Sequence, residues 1–247
     1  MQSHPRQSSP NILPSSLSRQ PSSGGCYSLA VFGVQAMVEP DTLLEQELWL
    51  SGRLRVAGVD EVGLGPVAGP VLAAACILPP SCSPIRGVRD SKTLSPSQRE
   101  RLFTEIIRQA ASVAVGAASV DEIEQLNVLG ASRLAMRRAL AKVGSLDYVL
   151  VDGRPIPGWA PGCYTAIVNG DASVYSIACA SIVAKVIRDR LMAQLARRFP
   201  GYGWERNAGY STREHLEALR TLGPTPLHRR SFGPVRELCP PPAGWSS

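Results

Sequence analysis

Two apolar segments in the first half of the chain, residues 54–60 (LRVAGVD) and 67–78 (VAGPVLAAACIL), are separated by six residues that include two glycines. Both segments have the composition of β-strands, and the turn between them is too short for a helix. We therefore predict that they pair as neighbouring antiparallel strands. The first strand is predicted to end at two adjacent acids, Asp60 and Glu61.

Strands and helices alternate after this hairpin. Apolar runs bounded by turn residues predict three further strands, at residues 112–119, 146–153 and 163–168. Helical spacing of apolar residues and the capping residues Ser95 and Thr212 predict four helices, at residues 96–110, 121–143, 172–198 and 212–222. The second of these helices is predicted to be interrupted near residues 127–130. This order predicts an α/β fold in which helices pack on a mixed sheet.

Composition indicates an ordinary globular protein with a basic balance. The 247 residues suffice for one sizeable domain or at most two small ones, and 44% of them are hydrophobic. The net charge of +6 mildly favours a polyanionic partner. The six cysteines form no C-x-x-C pair, which predicts reduced thiols, a cytoplasmic location and no structural zinc. No apolar run approaches the roughly 18 residues of a membrane span, so no membrane partner is predicted.

The two ends of the chain are predicted to lack regular structure. Residues 1–25 contain eight serines and four prolines but no acid, and residues 1–50 are predicted to be a largely disordered extension. Normal mixed composition begins after Met37, so translation from Met37 is one hypothesis. The folded domain is predicted to span residues 51–236, and residues 237–247 are predicted to be a flexible tail.

Four acids occur where predicted elements begin or end. Each has an ordinary structural explanation: Asp60 and Glu61 could end a strand in solvent, Asp152 could belong to an Asp-Gly turn, and Asp171 could cap a helix. Their joint placement favours convergence where the sheet opens into a cleft. Converging carboxylates need cations, and oxygen donors without histidine or cysteine favour Mg²⁺ or Mn²⁺. Two such ions would suit phosphodiester hydrolysis.

The glycine turn also has a competing interpretation. Residues 63–68 match the dinucleotide-binding pattern G-x-G-x-x-A, and Asp90 has a suitable spacing for a ribose contact. That site requires a helix that begins at the glycines and a positive potential. Here Pro66 and Pro70 precede a predicted strand, and the acids before the turn are negative. Dinucleotide binding is therefore disfavoured.

From about Val56 to Val235 the sequence resembles the bacterial ribonucleases HII. Several long motifs match in the family's order, which makes the resemblance highly specific. The matching motifs are AGVDEVG-x-GP-x-AGPV at residues 57–71, DSK-x-LS at 90–95, VDG at 151–153, GD at 170–171, IA-x-ASI-x-AKV-x-RD at 177–189, AGYST-x-EH at 208–215 and HRRSFGPV at 228–235.

The resemblance implies a ribonuclease-H-like fold, a mixed β-sheet flanked by helices with a helical C-terminal segment. It implies endonucleolytic hydrolysis of the RNA strand of RNA–DNA hybrids and cleavage 5′ to ribonucleotides embedded in duplex DNA, which leaves a 3′-hydroxyl and a 5′-phosphate. It also implies a monomer. The family's metal-binding catalytic acids correspond to Asp60, Glu61, Asp152 and Asp171, which would bind Mg²⁺ or Mn²⁺.

The resemblance also assigns substrate contacts. The backbone of Gly63, Leu64 and Gly65 would contact the ribose 2′-hydroxyl and so distinguish RNA from DNA. Lys92 would contact a phosphate, and Tyr210 would pack on the deoxyribose at the RNA–DNA junction.

Several other positions keep two explanations. Lys185 and Arg188 match basic positions of the family but could equally serve structure, and Ser181 could pack in a buried helix or assist catalysis. The run His228-Arg229-Arg230 would ordinarily be a solvated basic segment.

The chain departs from the family pattern at four positions. Arginine is usual at Leu64, asparagine at Arg154, and lysine at Asn169 and Ala208. None of these changes removes a predicted metal ligand. The lost positive charges motivate one alternative, a catalytically weak protein that binds RNA–DNA hybrids. A second alternative is a related nuclease that requires runs of ribonucleotides.

Overall fold

The computed structural model describes residues 39–160 and 162–238. The strands are β1 (Val56–Val62), β2 (Val71–Ile77), β3 (Ser112–Ala118), β4 (Tyr148–Asp152) and β5 (Tyr164–Ile167). The helices are α1 (Leu43–Leu50), α2 (Pro96–Gln109), α3 (Val120–Lys142), α4 (Tyr175–Arg198), α5 (Trp204–Asn207), α6 (Arg213–Leu222) and α7 (Gly233–Leu238). Two 3₁₀ turns cover Ser91–Thr93 and Gly170–Ala172.

The five strands form one mixed sheet in the order β3-β2-β1-β4-β5. β1 and β2 are antiparallel, as are β2 and β3, whereas β4 runs parallel to β1 and β5 runs parallel to β4. The predicted hairpin and the predicted mixed sheet are therefore confirmed. β1 lies at the centre of the sheet, where both of its neighbours constrain the position of its side chains.

Helices cover both faces of the sheet. Alternate β2 residues such as Ala73 pack with α3 on one face, and the intervening ones such as Ala74 pack with α2 and α4 on the other. Gly58 permits the closest approach, because a Cβ there would lie 2.2 Å from the carbonyl carbon of Ser176 in the first turn of α4. The missing side chain thus brings the start of α4 against β1.

Helix α3 is interrupted at Asn127, whose φ of 58° and ψ of 170° are not helical. Its side-chain Oδ1 accepts hydrogen bonds from the backbone N–H groups of Leu129 at 3.0 Å and Gly130 at 3.1 Å. Asparagine suits this role because it tolerates a positive φ and caps the helix that follows. The predicted interruption is confirmed.

Three element boundaries differ from the predicted ones. β1 continues to Val62, so Asp60 and Glu61 lie within the strand and not at its end. β2 begins only at Val71, because the backbone before it turns back to pair with the C-terminal segment, as at Ala68. α4 begins at Tyr175 because a 3₁₀ turn precedes it.

Helix α1 corrects part of the prediction for residues 1–50, because it lies in a range expected to be largely disordered. The buried Glu45 explains its order: the carboxylate Oε1 accepts a hydrogen bond of 2.7 Å from the backbone N–H of Ser176. Residues 1–38, including the proposed start at Met37, lie outside the described residues. Of the tail predicted over residues 237–247, Glu237 and Leu238 instead end helix α7, and the remainder lies outside the described residues.

The C-terminal segment is helical, as predicted, and consists of α5, α6 and α7. Its aromatic core includes Tyr202 and Trp204, whose rings stack at 5.2 Å between centroids. Among the helices of the described residues, none is long and apolar enough to cross a membrane.

Candidate active site

The four predicted acids are brought together at one end of the central strands. In the parallel pair β1 and β4, Val59 lies opposite Val151, so the next residues along, Asp60 and Asp152, are neighbours. A hydrogen bond extends this arrangement to the start of α4, because the backbone N–H of Gly170 donates to Asp152 Oδ1 at 2.6 Å. Gly170 directly precedes Asp171, the fourth acid, in a 3₁₀ turn.

The acids repel one another in a poorly hydrated place. Asp60 is only 5% exposed, and burial raises the pKa of its carboxyl well above the usual value, with further increases from the charges of Glu61 and Asp152. Burial also raises the pKa of Glu61, to about 7, and the charge of Asp152 adds to this rise. At neutral pH the pair therefore resists full ionisation unless a cation compensates it.

Lys92 supplies one positive charge at the edge of this cluster. Its Nζ lies 3.3 Å from Asp171 Oδ2 and 3.8 Å from Asp90 Oδ1, while the side chain remains 77% exposed. The backbone N–H of Lys92 also donates to Asp90 Oδ1 at 2.9 Å, which holds the 3₁₀ turn. Lys92 can therefore reach both the acids and an incoming anion, as the substrate-contact prediction requires.

Serines fix the buried side of the site. Ser181 lies on α4, is buried and forms a hydrogen bond of 2.9 Å with the hydroxyl of Ser91. The hydroxyl of Ser181 also opposes the rise in the pKa of Asp60, because it favours the ionised carboxylate. Ser181 is therefore a buried residue with a polar partner, and its hydrogen bond to Ser91 links α4 to the 3₁₀ turn that carries Lys92.

The ordinary explanations of the acids do not account for their surroundings. Asp60 is buried within a strand, and the carboxylate of Asp152 accepts from Gly170, 18 residues further along. Asp171 does not cap α4, since the N-cap is Val174 and has no side-chain cap. Glu45 from the distant helix α1 supplies that hydrogen bond instead.

The donor set fits hard divalent cations. All four side chains offer carboxylate oxygen, the class of donor preferred by Mg²⁺ and Mn²⁺. Among residues 39–160 and 162–238, no group of three acidic, histidine or cysteine side chains is already closed around an ion position. An open set is compatible with such cations, because Mg²⁺ commonly binds through one or two carboxylates and completes its shell with water and substrate phosphate.

The glycine loop beside the acids is held by a buried arginine. Arg229 is fully buried and donates to the backbone carbonyls of Gly63 at 2.7 Å, Leu64 at 3.1 Å and Gly69 at 2.8 and 2.9 Å. The loop leads into strand β2 and not into a helix, which excludes the dinucleotide-binding interpretation. The expectation that residues 228–230 form a solvated run is wrong for His228 and Arg229, which are both buried, and holds only for the exposed Arg230.

A second buried arginine, Arg188 of α4, completes this support. It donates to the backbone carbonyls of Pro70 at 3.2 Å, Ala68 at 3.2 Å and Ala208 at 2.8 Å. Its guanidinium also lies so close to Gly63, which has a φ of +99°, that a Cβ there would come within 2.5 Å of Nε. Of the two explanations for Arg188, the structural one is therefore favoured.

Tyr210 lies over the same loop and remains 44% exposed. A Cβ added at Gly65 would come within 3.5 Å of Tyr210 Cε1, so the ring borders the space that a side chain at Gly65 would occupy. The side chain of Leu64 is partly buried and packs against the core cluster on the α3 face of the sheet. Tyr210 and Gly65 are both exposed, whereas Leu64 between the two glycines is partly withdrawn from solvent.

A buried histidine pair positions Tyr210 from below. His215 Nδ1 lies 2.8 Å from the carbonyl oxygen of Tyr210, and Trp204 Nε1–H donates to His215 Nε2 at 2.9 Å. The backbone N–H of Thr225 donates to His228 Nδ1 at 2.9 Å, so His228 donates through Nε2 to His215 Nε2, 3.1 Å away. Both rings are uncharged in this arrangement, and the single lone pair of His215 Nε2 is shared between the donors Trp204 and His228.

The sequence model of the family Ribonuclease HII matches residues 57–235, which include every predicted site residue. The chain belongs to the ribonuclease HII family. Its enzymatic class is therefore ribonuclease H, an endonucleolytic, metal-dependent hydrolase. The resemblance inferred from the motifs is confirmed by this match.

Named relatives and solved structures agree with this membership. A Ribonuclease HII of Thermosynechococcus vestitus is 54% identical over 82% of this chain and 94% of its own length. A Ribonuclease HII of Ruegeria pomeroyi is 52% identical over 83% of this chain and 87% of its own. The ribonuclease H2 of Pyrococcus horikoshii is 27% identical with a TM-score of 0.61, covering 74% of this chain and 96% of that one. The predicted ribonuclease-H-like fold is thus confirmed.

Several supporting residues of this ribonuclease HII family member were not identified as such from sequence. Arg229, His215 and Glu45 contact backbone groups far away along the chain, and no local pattern marks such contacts. Lys185 forms an ion pair of 2.7 Å with Asp189 of the same helix. This contact favours a structural role for Lys185 over a role in substrate binding.

Proposed function

We propose that the chain is an endoribonuclease that hydrolyses the RNA strand of RNA–DNA hybrids and cleaves 5′ to ribonucleotides embedded in duplex DNA. The products would carry a 3′-hydroxyl and a 5′-phosphate. The observation that carries this proposal is the convergence of four acids beside a rigid glycine loop in a member of the ribonuclease HII family. The net charge of +6 is compatible with a nucleic-acid substrate.

Asp60, Glu61, Asp152 and Asp171 would hold Mg²⁺ or Mn²⁺, with two ions in the proposed reaction. Bound ions of this kind polarise a water molecule and stabilise charge on the leaving oxygen. The raised pKa of Glu61, about 7, supports this role, because the acids need positive charge that the protein only partly supplies. Ser181 and the backbone N–H of Gly170 would keep the carboxylates oriented.

Recognition of RNA would depend on the loop of Gly63, Leu64 and Gly65. The buried arginine holds the loop by its carbonyl groups, and this constraint supports a preformed surface for the ribose 2′-hydroxyl. Tyr210 would pack on the deoxyribose at the junction, consistent with its exposed ring over Gly65. Lys92 would contact a phosphate from its exposed position at the edge of the acids.

Leu64 favours one alternative, a catalytically weak protein that binds RNA–DNA hybrids. Its partly buried apolar side chain cannot supply the phosphate contact of an arginine at that position. The four acids argue against a function of binding alone, since negative charge opposite phosphate weakens the association of a protein with nucleic acid.

One experiment separates these possibilities. The protein is incubated with Mg²⁺ and either a DNA duplex carrying a single ribonucleotide or a full RNA–DNA hybrid, with Asp60→Asn as the inactive control. Cleavage of both substrates supports the proposal. Cleavage of the hybrid alone indicates a related nuclease that requires runs of ribonucleotides. Tight binding of both substrates without cleavage indicates a binding protein and refutes the proposed activity.

A further inference from the structure

A cavity of about 240 Å³ adjoins two of the four acids, on the side of helix α3. Glu61 and Asp152 contribute to its wall, and the apolar side chains of Met136 and Ile156 also line it. The cavity therefore continues the acidic site without being a separate compartment. Its composition of acidic and apolar groups alone would not attract an anion.

Two arginines on different elements add positive charge to the acidic and apolar lining of the cavity. Arg133 on α3 is partly buried and Arg154, which follows β4, is exposed, and both line the cavity. Neither guanidinium lies within 4.0 Å of a carboxylate oxygen of the described residues, the distance that defines an ion pair. Arg138, on the same helix, differs, since both of its terminal nitrogens donate to Glu122.

Unpaired arginines next to acids are available to a ligand. A guanidinium binds a phosphate through two parallel hydrogen bonds, which makes arginine well suited to phosphodiester recognition. The apolar side chain of Leu129, which lines the cavity and is 56% exposed, offers a surface for the sugar of the same nucleotide. These features suit a nucleotide within a strand better than a free anion, because the neighbouring acids repel an anion that does not bring cations with it.

We infer that this cavity is a phosphate subsite for the substrate strand, in which Arg133 and Arg154 hold a phosphodiester next to the one positioned at the acids. The inference rests on the proposed function and deepens it. The two arginines would supply positive charge close to a site that has leucine, and not arginine, at position 64. Affinity for the strand would then come from this cavity more than from the side chains of the glycine loop.

The test compares Arg133→Gln, Arg154→Gln and the double variant with the unmodified chain. Arg137→Gln is the matched control, because Arg137 is an exposed arginine of the same helix that does not line the cavity. Binding of a fluorescent RNA–DNA hybrid is measured between 50 and 200 mM salt, and cleavage is measured with Mg²⁺. Each lost phosphate contact lowers the magnitude of the slope of log K against log[salt] by about 0.9.

The magnitude of the salt slope is expected to fall by about 1 for each single variant. The double variant should show a KM increased by about 5- to 10-fold with little change in kcat. Arg137→Gln should behave as the unmodified chain. Arg154→Lys should retain the salt slope but weaken binding, because lysine keeps the positive charge and loses the two parallel hydrogen bonds of the guanidinium.

Equal slopes and KM values for the double variant and the unmodified chain would overturn the subsite alone. Equal losses in Arg137→Gln would also overturn it, because they would indicate a diffuse basic surface. A failure of the unmodified chain to cleave or bind the hybrid would overturn the proposed function and, with it, the subsite.

Discussion

The guanidinium of Arg229 donates a hydrogen bond of 2.7 Å to the carbonyl oxygen of Gly63, which lies 166 positions earlier in the chain. Arg229 is fully buried, and all four hydrogen bonds that its guanidinium donates end on backbone carbonyls. The shape of the glycine loop therefore depends on the C-terminal segment as much as on the loop's own residues.

Replacing Arg229 by lysine should loosen the loop. Lysine lacks the planar fork and would leave buried carbonyls without donors, so we expect the free energy of unfolding to fall by about 3 kcal/mol. KM for a hybrid substrate should rise as well. Denaturant unfolding and cleavage kinetics check both effects. The control is Arg230→Lys at the neighbouring exposed position, which should be near neutral; equal behaviour of the two variants would contradict the role of Arg229.

Asp60→Asn should remove activity and increase stability. The buried carboxyl has a pKa well above its usual value, so its ionised form is costly in metal-free buffer at pH 8. We expect thermal unfolding in a chelator to occur about 2–4 °C higher, which corresponds to about 1 kcal/mol. Cleavage with Mg²⁺ should be lost while hybrid binding is kept or strengthened. Glu47→Gln, at an exposed position, is the control, and near-normal cleavage by Asp60→Asn would refute the assignment.

Leu64→Arg should tighten binding of a hybrid at low salt. The new guanidinium would add one phosphate contact, which raises the magnitude of the salt slope by about 0.9. Some stability should be lost, because Leu64 packs partly against the core. Leu64→Met keeps the apolar contact and separates the two effects. Fluorescence anisotropy from 50 to 200 mM salt measures the change, and an unaltered dissociation constant would mean that position 64 does not face the phosphates.

Acid should destabilise the fold through His228. Burial, and to a smaller extent repulsion by a protonated His215, lower the pKa of His228 to about 4. Between pH 6.5 and about 4 the unfolded histidine binds a proton that the folded one does not, so the free energy of unfolding falls as the pH falls. The loss from this group should reach about 2 kcal/mol at pH 5 relative to pH 7.5. Thermal unfolding of His228→Asn across this pH range checks the prediction: the variant should lose less stability in acid than the unmodified chain. An unchanged pH dependence in the variant would contradict the role of His228.

Glu45 should stabilise the start of α4 from a distance. Its carboxylate accepts from Ser176 in the first turn of that helix. Glu45→Ala, or a chain that begins at residue 51, should lose about 1–2 kcal/mol of stability, a loss typical of a removed N-terminal cap. Denaturant unfolding measures this, with Glu47→Gln as the exposed control. Full stability of the shortened chain would restore the predicted domain boundary at residue 51.

Local patterns predicted most of the fold. The hairpin of β1 and β2 followed from two apolar runs and a short turn, and the interruption of α3 followed from an asparagine that tolerates positive φ. The convergence of Asp60 with Asp152 was predictable, because parallel strands align their ends at one edge of a sheet. These signals lie within a few residues of the structures that they predict.

The unpredicted features are those formed by contacts between distant parts of the chain. Arg229 looks like part of a solvated basic run, and only the folded chain brings it under the carbonyl of Gly63. Glu45 lies in a segment without clear periodicity and is ordered by a partner 131 positions away. Every residue has the same backbone groups, so local sequence patterns cannot predict which side chains will bind the backbone of a distant residue.

The strand order has a consequence for the timing of activity during protein synthesis. β1, β2 and β3 are consecutive in sequence and can pair early, but β4 joins β1 only after 92 further residues separate Asp60 from Asp152. At about 5–20 residues per second, a ribosome needs roughly 5–20 s to cover that interval. Tyr210 and Arg229 emerge later still. A nascent chain therefore carries only two of the four site acids for some seconds, and the complete site can form only after Arg229 has been added.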